Sequence, residues 1–422
     1  METSTLHRKA ALDIAWVRGQ FPSLKLKVNA RPAAFLDGPG GTQVPQRVID
    51  AVTNYFVHSN ANVGGAYLTS ERNDAMLAEA HRALADLLGC EADEVSFGQN
   101  MTTLNLLLSR AIGRGLVAGD EILLTWLDHD GNVSPWLALE EKGVIIKRAD
   151  VNQQDCTLRM DDLAAKIGSR TRVVAVGYAS NAVGTINPVN EIVRLAHAAG
   201  ALTVVDAVHF APHGPIDVRD LDCDFLLCSP YKFFAPHSGV MYGKREVSGR
   251  LRPYKVRAQY DRLPEQWETG TLCHENIAGV LAAVEYLADL GRHSNPSLSN
   301  RRTALLAAYQ AIRDYERGLM EPLISGLLTI PGLKLYGITD PARFDERTPT
   351  VAVRIAGHTP IQLARKLGER GIFTWDGHYF ALDLARRQDV EASGGWLRIG
   401  LVHYNTAEEV ERVVRELKQV AG

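Results

Sequence analysis

The stretch VVDAVHFAPHGPIDVRDLDCDFLLCSPYK, residues 204–232, contains two apolar runs that each end in a group costly to bury. The first, ALTVVDAV (201–208), carries Asp206 and is followed by His209. The second, DFLLCS (224–229), is followed three residues on by Lys232. Short β-branched and apolar runs without polar alternation read as strands buried on both faces, the condition of a parallel sheet covered by helices. A lysine just past such a strand is unfavourable unless something uses it. Asp206 and Lys232 are 232 − 206 = 26 residues apart, one strand-to-strand step, so both fall at the same edge of such a sheet.

Working outward, further apolar runs occur at EVSF (94–97), EILLTW (121–126), GVIIKRA (143–149), RVVAVGYA (172–179) and GVMYG (239–243). Between them lie amphipathic stretches such as Ala75–Leu88 and Val189–Ala199, the second opened by Pro188 and Glu191. Strands alternating with helices predict a doubly wound, mainly parallel α/β sheet. Near residue 290 the character changes, and DLGRHSNPSLSN (289–300) reads as a connector. A second set follows: TPTVAVRIA (348–356), TPIQLARKLGERG (359–371), IFTW (372–375) and WLRIGLVHY (396–404). The last helix opens at Asn405–Thr406, with Thr406 and Glu409 spaced as a capping box and Val410, Val413, Val414 and Leu417 as one apolar stripe. The expected organisation is a large α/β domain over 36–290 and a smaller α+β domain over 291–422. Residues 1–35 are too few to fold alone and are expected to pack with the small domain.

The 422 residues include 46 basic and 49 acidic side chains, interspersed, for a formal charge of −3. No basic face for nucleic acid is indicated, and no apolar run approaches the ~20 residues of a membrane span. The opening METSTLHRKAALDIAWVRGQFPSL lacks the apolar segment of a signal peptide. Cys90, Cys156, Cys223, Cys228 and Cys273 are odd in number and form no C-x-x-C pair, so neither a disulfide framework nor a metal site is expected. A cytoplasmic location fits this usage.

Other polar groups fall just beyond strands: Asn181 after RVVAVGYAS and His129 after EILLTWLD. Each alone is ordinary, a cap, a turn residue or a solvated side chain. Together with Asp206, His209 and Lys232 they match the needs of one cofactor, pyridoxal 5′-phosphate. A lysine amine attacks its aldehyde, and a carboxylate facing the ring nitrogen keeps it protonated. His129 can stack on the ring, while Asn181 and His209 can bond its hydroxyl. The phosphate calls for N–H groups at a helix start and nearby hydroxyls, which GQNMTTLNLLL (98–108) and Ser229 offer.

These motifs resemble the class V aminotransferases, fold-type I pyridoxal phosphate enzymes, and among them the cysteine desulfurases and selenocysteine lyases. The resemblance runs from FLDGPGGTQVP (35–45) to the C-terminus through DEILLTWLDHDGNVSPW (120–136), ASNAVGTINPV (179–189), the opening stretch, WETGT (267–271) and WLRIGLVHYNT (396–406). It implies that Lys232 forms a Schiff base with the cofactor and later moves protons, that Asp206 faces the ring nitrogen, and that His129 stacks. It places Asn100 and Met101 where relatives have two phosphate-binding threonines, with Thr102 able to take over a hydroxyl contact. Gly270 and Thr271 would reach the phosphate of a neighbouring subunit, which implies a homodimer. Arg398 would clamp the α-carboxylate of an amino-acid substrate, with Asn181 beside it.

The resemblance breaks in TWDGHYFALD (374–383), where Phe380 stands at the position of the desulfurases' sulfur-accepting cysteine, and no cysteine occurs in 274–422. Tyr231 replaces a histidine before the lysine. Cys273 is either a small buried filler or a thiol near the intersubunit contact. The aromatic loop Trp375, His378, Tyr379, Phe380 is either a lid or core of the small domain. The expected activity is therefore a desulfurase-like C–S lyase working by β-elimination without persulfide transfer. Transamination and epimerisation remain open on the same residues, with Tyr231, His378 or Tyr379 as a second base. A non-catalytic binding protein would have lost the lysine or the carboxylate.

Overall fold

A computed structural model describes residues 12–421. The first eleven residues, and with them part of the segment in which no signal peptide is expected, lie outside the described residues. Seven strands form the main sheet: β1 Val95–Gly98, β2 Glu121–Thr125, β3 Ile145–Ala149, β4 Thr171–Gly177, β5 Leu202–Asp206, β6 Phe225–Cys228 and β7 Gly239–Gly243. Their spatial order is β1-β7-β6-β5-β4-β2-β3. β3, β2, β4, β5 and β6 pair in parallel. β7 is antiparallel to both β6 and β1. Only Ser229–Ser238 separates β7 from β6, too short a link for a parallel crossover. Because β7 runs against both neighbours, β1 points the same way as the parallel strands. The carboxyl ends of β1, β2, β4, β5 and β6 therefore open on one edge.

The unbroken apolar runs are explained by burial on both faces. Val205 and Leu226 enter one core with Leu84, Leu88, Val280 and Tyr309. Their chain neighbours Val204 and Leu227 enter the other with Leu104, Leu108, Ile122 and Trp136. Each such side chain contributes roughly 1.5–3 kcal/mol by leaving water. The first face is covered by α1 (Leu68–Leu88) and α4 (His274–Ser294), the second by α2 (Met101–Gly113), while α3 (Val189–Ala198) links β4 to β5.

The smaller sheet is antiparallel in the order β8 Leu333–Tyr336, β9 Thr350–Ile355, β11 Trp396–Gly400, β10 Trp375–Gly377. Helices α6 (Pro360–Glu369) and α7 (Ala407–Ala421) share its core through Leu363, Leu367, Val410, Val413 and Leu417. Thr406 and Glu409 bond each other's backbone N–H, at 3.3 and 3.2 Å, the reciprocal cap read from their spacing.

Two boundaries differ from the sequence reading. The polar stretch at 289–294 is the last turn and a half of α4, where half-buried Arg292 bonds Asp289 at 2.8 Å. Only Asn295–Asn300 connects to α5 (Arg301–Leu328). The first half of α5 packs in the large core through Leu305, Ala308 and Ile312, the second half in the small one through Leu319, Leu323 and Leu327. The change of core thus falls within α5 rather than at residue 290. The N-terminal segment also joins both bodies instead of the small one alone. Val17, Phe21 and Leu24 are in the large core, while Ala34–Phe35 pairs in parallel with Ile372–Phe373. Phe21 meets Phe234, Tyr286 and Tyr404 edge-on, which draws the segment across. Among the described residues no helix is long and apolar enough to cross a membrane.

Candidate active site

A cavity of about 650 Å³ lies at the carboxyl edge of the main sheet, between it and the small domain. Lys232, Asp206, His129, Asn181, His209, Ser229, Asn100, Met101, Thr102 and Arg398 all line it. Gly270 and Thr271 do not; they sit exposed on the loop before α4.

Lys232 closes a tight turn after β6, its N–H bonded to the Ser229 carbonyl at 3.0 Å. Its Nζ donates to the Pro39 carbonyl and lies 4.8 Å from the Tyr231 ring centroid. Burial, reinforced by the Arg398 guanidinium, lowers the amine to about 7, against the opposing pull of Asp206 and Asp37. A neutral, nucleophilic amine is thus available near pH 7. Asp206 ends β5, and its Oδ1 accepts the Val208 N–H at 2.9 Å. Burial raises its carboxyl to about 6, opposed by that hydrogen bond and by Lys232.

His129 follows β2, and its Nδ1 accepts the Gly131 N–H at 2.9 Å, which leaves the ring proton on Nε2. Burial and the positive Lys232 lower it to about 4, so the ring is neutral and suited to stacking. The preceding Asp128 accepts from the Thr125 N–H and hydroxyl at 3.0 and 2.7 Å and from the Gly177 N–H. It ties the ends of β2 and β4 together and fixes where His129 emerges.

Asn100 caps α2, its Oδ1 accepting from the Thr103 N–H at 2.9 Å. Gly239 makes this turn possible: a Cβ there would stand 2.5 Å from the Asn100 carbonyl carbon. The Met101 N–H meets Ser229 Oγ at 3.4 Å, and the Met101 side chain is buried in the core, so only its backbone is available. The helix start, with Thr102 and Ser229 beside it, is built for an anion.

Arg398 on β11 is 3 % exposed, donates through Nη1 to the Asn181 carbonyl at 2.8 Å, and has Nε buried without a partner. Burial lowers its guanidinium to about 10. The Asn181 amide donates to the Tyr379 carbonyl at 2.8 Å, and its Oδ1 is buried and unpartnered. His209 bonds Thr348 Oγ1 at 3.1 Å and lies 5.4 Å, centroid to centroid, from His213, which is bonded to buried Glu316 at 2.8 Å.

Several lining residues carried no role in the sequence reading. Asn187 holds the Gly177 carbonyl at 2.7 Å with Oδ1 left over. His237 stacks on Tyr231 at 4.8 Å. Asp37, beside the cavity, is raised to about 6 by burial and faces Arg398 and Lys232 electrostatically. The turn-rich DGPGG was the available signal for Asp37; nothing local marked His237. Cys273 corrects the reading of a buried filler: it is exposed at the start of α4, bonded to Glu275 at 3.0 Å, and outside the cavity. Cys223 and Cys228 are fully packed, as expected of strand residues. The loop reading resolves residue by residue. Tyr379 packs beside Trp396, while Trp375 and Phe380 stay 50 % and 64 % exposed at the cavity mouth.

Pyridoxal 5′-phosphate fits this donor set: a neutral buried amine, a buried carboxylate, a neutral imidazole and a helix start with hydroxyls, plus unpartnered amide oxygens.

The family model described as Aminotransferase class-V matches residues 34–413. The chain is 32% identical over 420 residues to a cysteine desulfurase of Enterobacter sp. (strain 638), covering 96% of this chain and 97% of that one. It is 31% identical over 426 residues to a probable cysteine desulfurase of Mycolicibacterium paratuberculosis, covering 97% of this chain but only 58% of the longer relative. A crystal structure of a cysteine desulfurase from Escherichia coli superposes with a TM-score of 0.82 at 25% identity, over 96% of this chain and 98% of that one.

Proposed function

The chain belongs to the class-V aminotransferase family and is a pyridoxal 5′-phosphate-dependent enzyme, and from that premise we propose that it is a C–S lyase acting on a cysteine-type amino acid by β-elimination. The observation that carries this reading is the absence of any cysteine among the described residues lining the cavity, with Phe380 at its mouth. Desulfuration of cysteine to alanine transfers zero-valent sulfur to a thiol. Elimination is redox-neutral: a proton leaves Cα, the Cβ–S bond breaks with its electron pair on sulfur, and water then gives pyruvate and ammonium.

When bound, the cofactor supplies an electron sink for charge developing at the substrate Cα. Arg398 binds the α-carboxylate, for which its buried, unpartnered Nε and planar fork are suited. Lys232 would hold the cofactor and would move the proton at the substrate Cα, its amine being neutral within reach of ordinary pH. Asp206 would hold a proton on the ring nitrogen of the bound group, and His129 would pack against its ring. The Thr102 and Ser229 hydroxyls and the start of α2 hold the phosphate.

A homodimer belongs to the same reading. Gly270 and Thr271 are exposed and do not line their own cavity. Phe56, Val57, Val63, Tyr67 and Leu68 are exposed, and the neighbouring Tyr55 and Asn73 bond His274 at the start of α4 at 3.3 and 3.1 Å. The five free cysteines support a reducing, cytoplasmic setting.

The test is S-methyl-L-cysteine given to the cofactor-loaded protein and to Lys232→Ala. Lysine-dependent methanethiol and pyruvate in equal amounts support elimination. A sulfur-retaining 2-oxo acid would mean transamination, and a D-enantiomer epimerisation.

A further inference from the structure

Two large aromatic side chains stand open to solvent at the mouth of the cavity, and both are held there. Phe380 is 64 % exposed, and its ring centroid lies 5.5 Å from that of His129. Trp375 is 50 % exposed. Its indole packs against Gly40, where a Cβ would stand 2.3 Å from Trp375 Nε1.

The segment carrying Phe380 is fixed at several points. The Asp130 N–H bonds the Phe380 carbonyl at 2.7 Å, the Asn181 amide bonds the Tyr379 carbonyl, and the Tyr379 hydroxyl bonds the Trp396 carbonyl. Within it Tyr379 and Phe380 both adopt left-handed backbone, with φ of 53° and 60°. Bulky residues rarely occupy that region, so two in succession store strain that the surrounding bonds maintain. The outcome is an aromatic ring presented outward beside the cavity-lining His129 imidazole, instead of packed against the core as Tyr379 is. The inner wall below is also apolar, with Leu106, Leu127 and Val208.

We propose that this aromatic rim is a specificity element for amino acids whose sulfur carries a bulky apolar, and above all aromatic, substituent. The inference rests on the cysteine-type lyase reading. The α-carboxylate is anchored on Arg398 at the inner side of the loop, and the substituent leaves past Phe380 and Trp375 at its outer side. Cleavage follows the stoichiometry above: the arylalkyl thiol departs with the bonding pair and a proton, and water converts the three-carbon fragment to pyruvate and ammonium. No oxidant or acceptor thiol is needed.

The test separates binding from chemistry. 3-(Benzylthio)propanoate and 3-(methylthio)propanoate keep the carboxylate and thioether but lack the amine, so neither reacts with the cofactor. Calorimetric titration of the cofactor-loaded protein is expected to show the benzyl probe binding about tenfold more tightly, the scale of one added aromatic contact. Phe380→Ala should shrink that ratio below about threefold. Phe380→Leu, the second variant should the first unfold, should give an intermediate ratio, and Phe380→Trp should preserve it. Equal binding of the two probes to the native protein, or an unchanged ratio in a folded Phe380→Ala, overturns the proposal. Pyruvate from S-benzyl-L-cysteine is read separately. Selective binding without pyruvate sinks the lyase reading and leaves the rim, and pyruvate from small thioethers with equal probe binding does the reverse.

Discussion

The guanidinium carbon of Arg398 lies 4.1 Å from the centroid of the Tyr379 ring. The ring of Tyr379 is held by its hydroxyl bond to the Trp396 carbonyl, two residues before Arg398 on the same strand. Arg398 is thereby fixed by a flat partner below and the Asn181 carbonyl at its side, with Nε uncommitted. Pre-ordering of this kind reduces the entropy lost when a carboxylate binds.

Arg398→Lys keeps a charge but loses the planar fork and the stacking. Loss of a charge-assisted bidentate pair is worth about 1.5–3 kcal/mol, or roughly 10- to 150-fold. The expected result is a rise of that size in KM for the amino acid, with the visible spectrum of the bound cofactor unchanged. Steady-state kinetics with a spectrum of each variant checks it; an altered spectrum at unchanged KM would assign Arg398 to the cofactor instead.

Lys232 destabilises the cofactor-free fold, and the penalty depends on pH. Its folded-state value of about 7 lies below the ordinary 10.5, so between them the native chain binds fewer protons than the unfolded one, and stability rises with pH. The cost is complete below about pH 7 and gone above about 10.5. Lys232→Met should therefore stabilise the cofactor-free protein by on the order of 4 kcal/mol at pH 7, and by only about 1 kcal/mol at pH 10. Urea unfolding at the two pH values measures this, and an equal gain at both would show that the lysine is not desolvated.

Cys273 is an exposed thiol pushed up to about 11 by partial burial and the Glu275 contact, hence mostly protonated at neutral pH. It stands outside its own cavity. Cys273→Ser is expected to leave pyruvate formation within twofold of the native rate. A tenfold loss, or a switch in product, would instead assign the thiol to the neighbouring subunit's site.

The main sheet was readable because strands buried on both faces leave continuous apolar runs, as Val204–Val205 and Leu226–Leu227 do by facing opposite cores. The reversed direction of β7 was not, since direction depends on the length of the link to β6 rather than on composition. The polar end of α4 reads as a linker because a partly solvated helix end and a loop share a composition. Asp206 and Lys232 are marked in the sequence because one ends and the other closely follows a buried apolar run, whereas Arg398 is marked only by the family resemblance of WLRIGLVHYNT. Asp37 and His237 were assigned no role because they enter the site through long-range folding. Exposure of Phe380 beside packed Tyr379 is likewise a matter of backbone conformation, invisible in the letters HYF.

The most direct measurement is a single reaction of the cofactor-loaded protein with L-cysteine, in which pyruvate, alanine and protein-bound persulfide are quantified together, with Lys232→Ala as control. β-Elimination predicts pyruvate and sulfide in equal amounts, dependent on Lys232, with neither alanine nor persulfide. Alanine accompanied by a persulfide on the protein would contradict it.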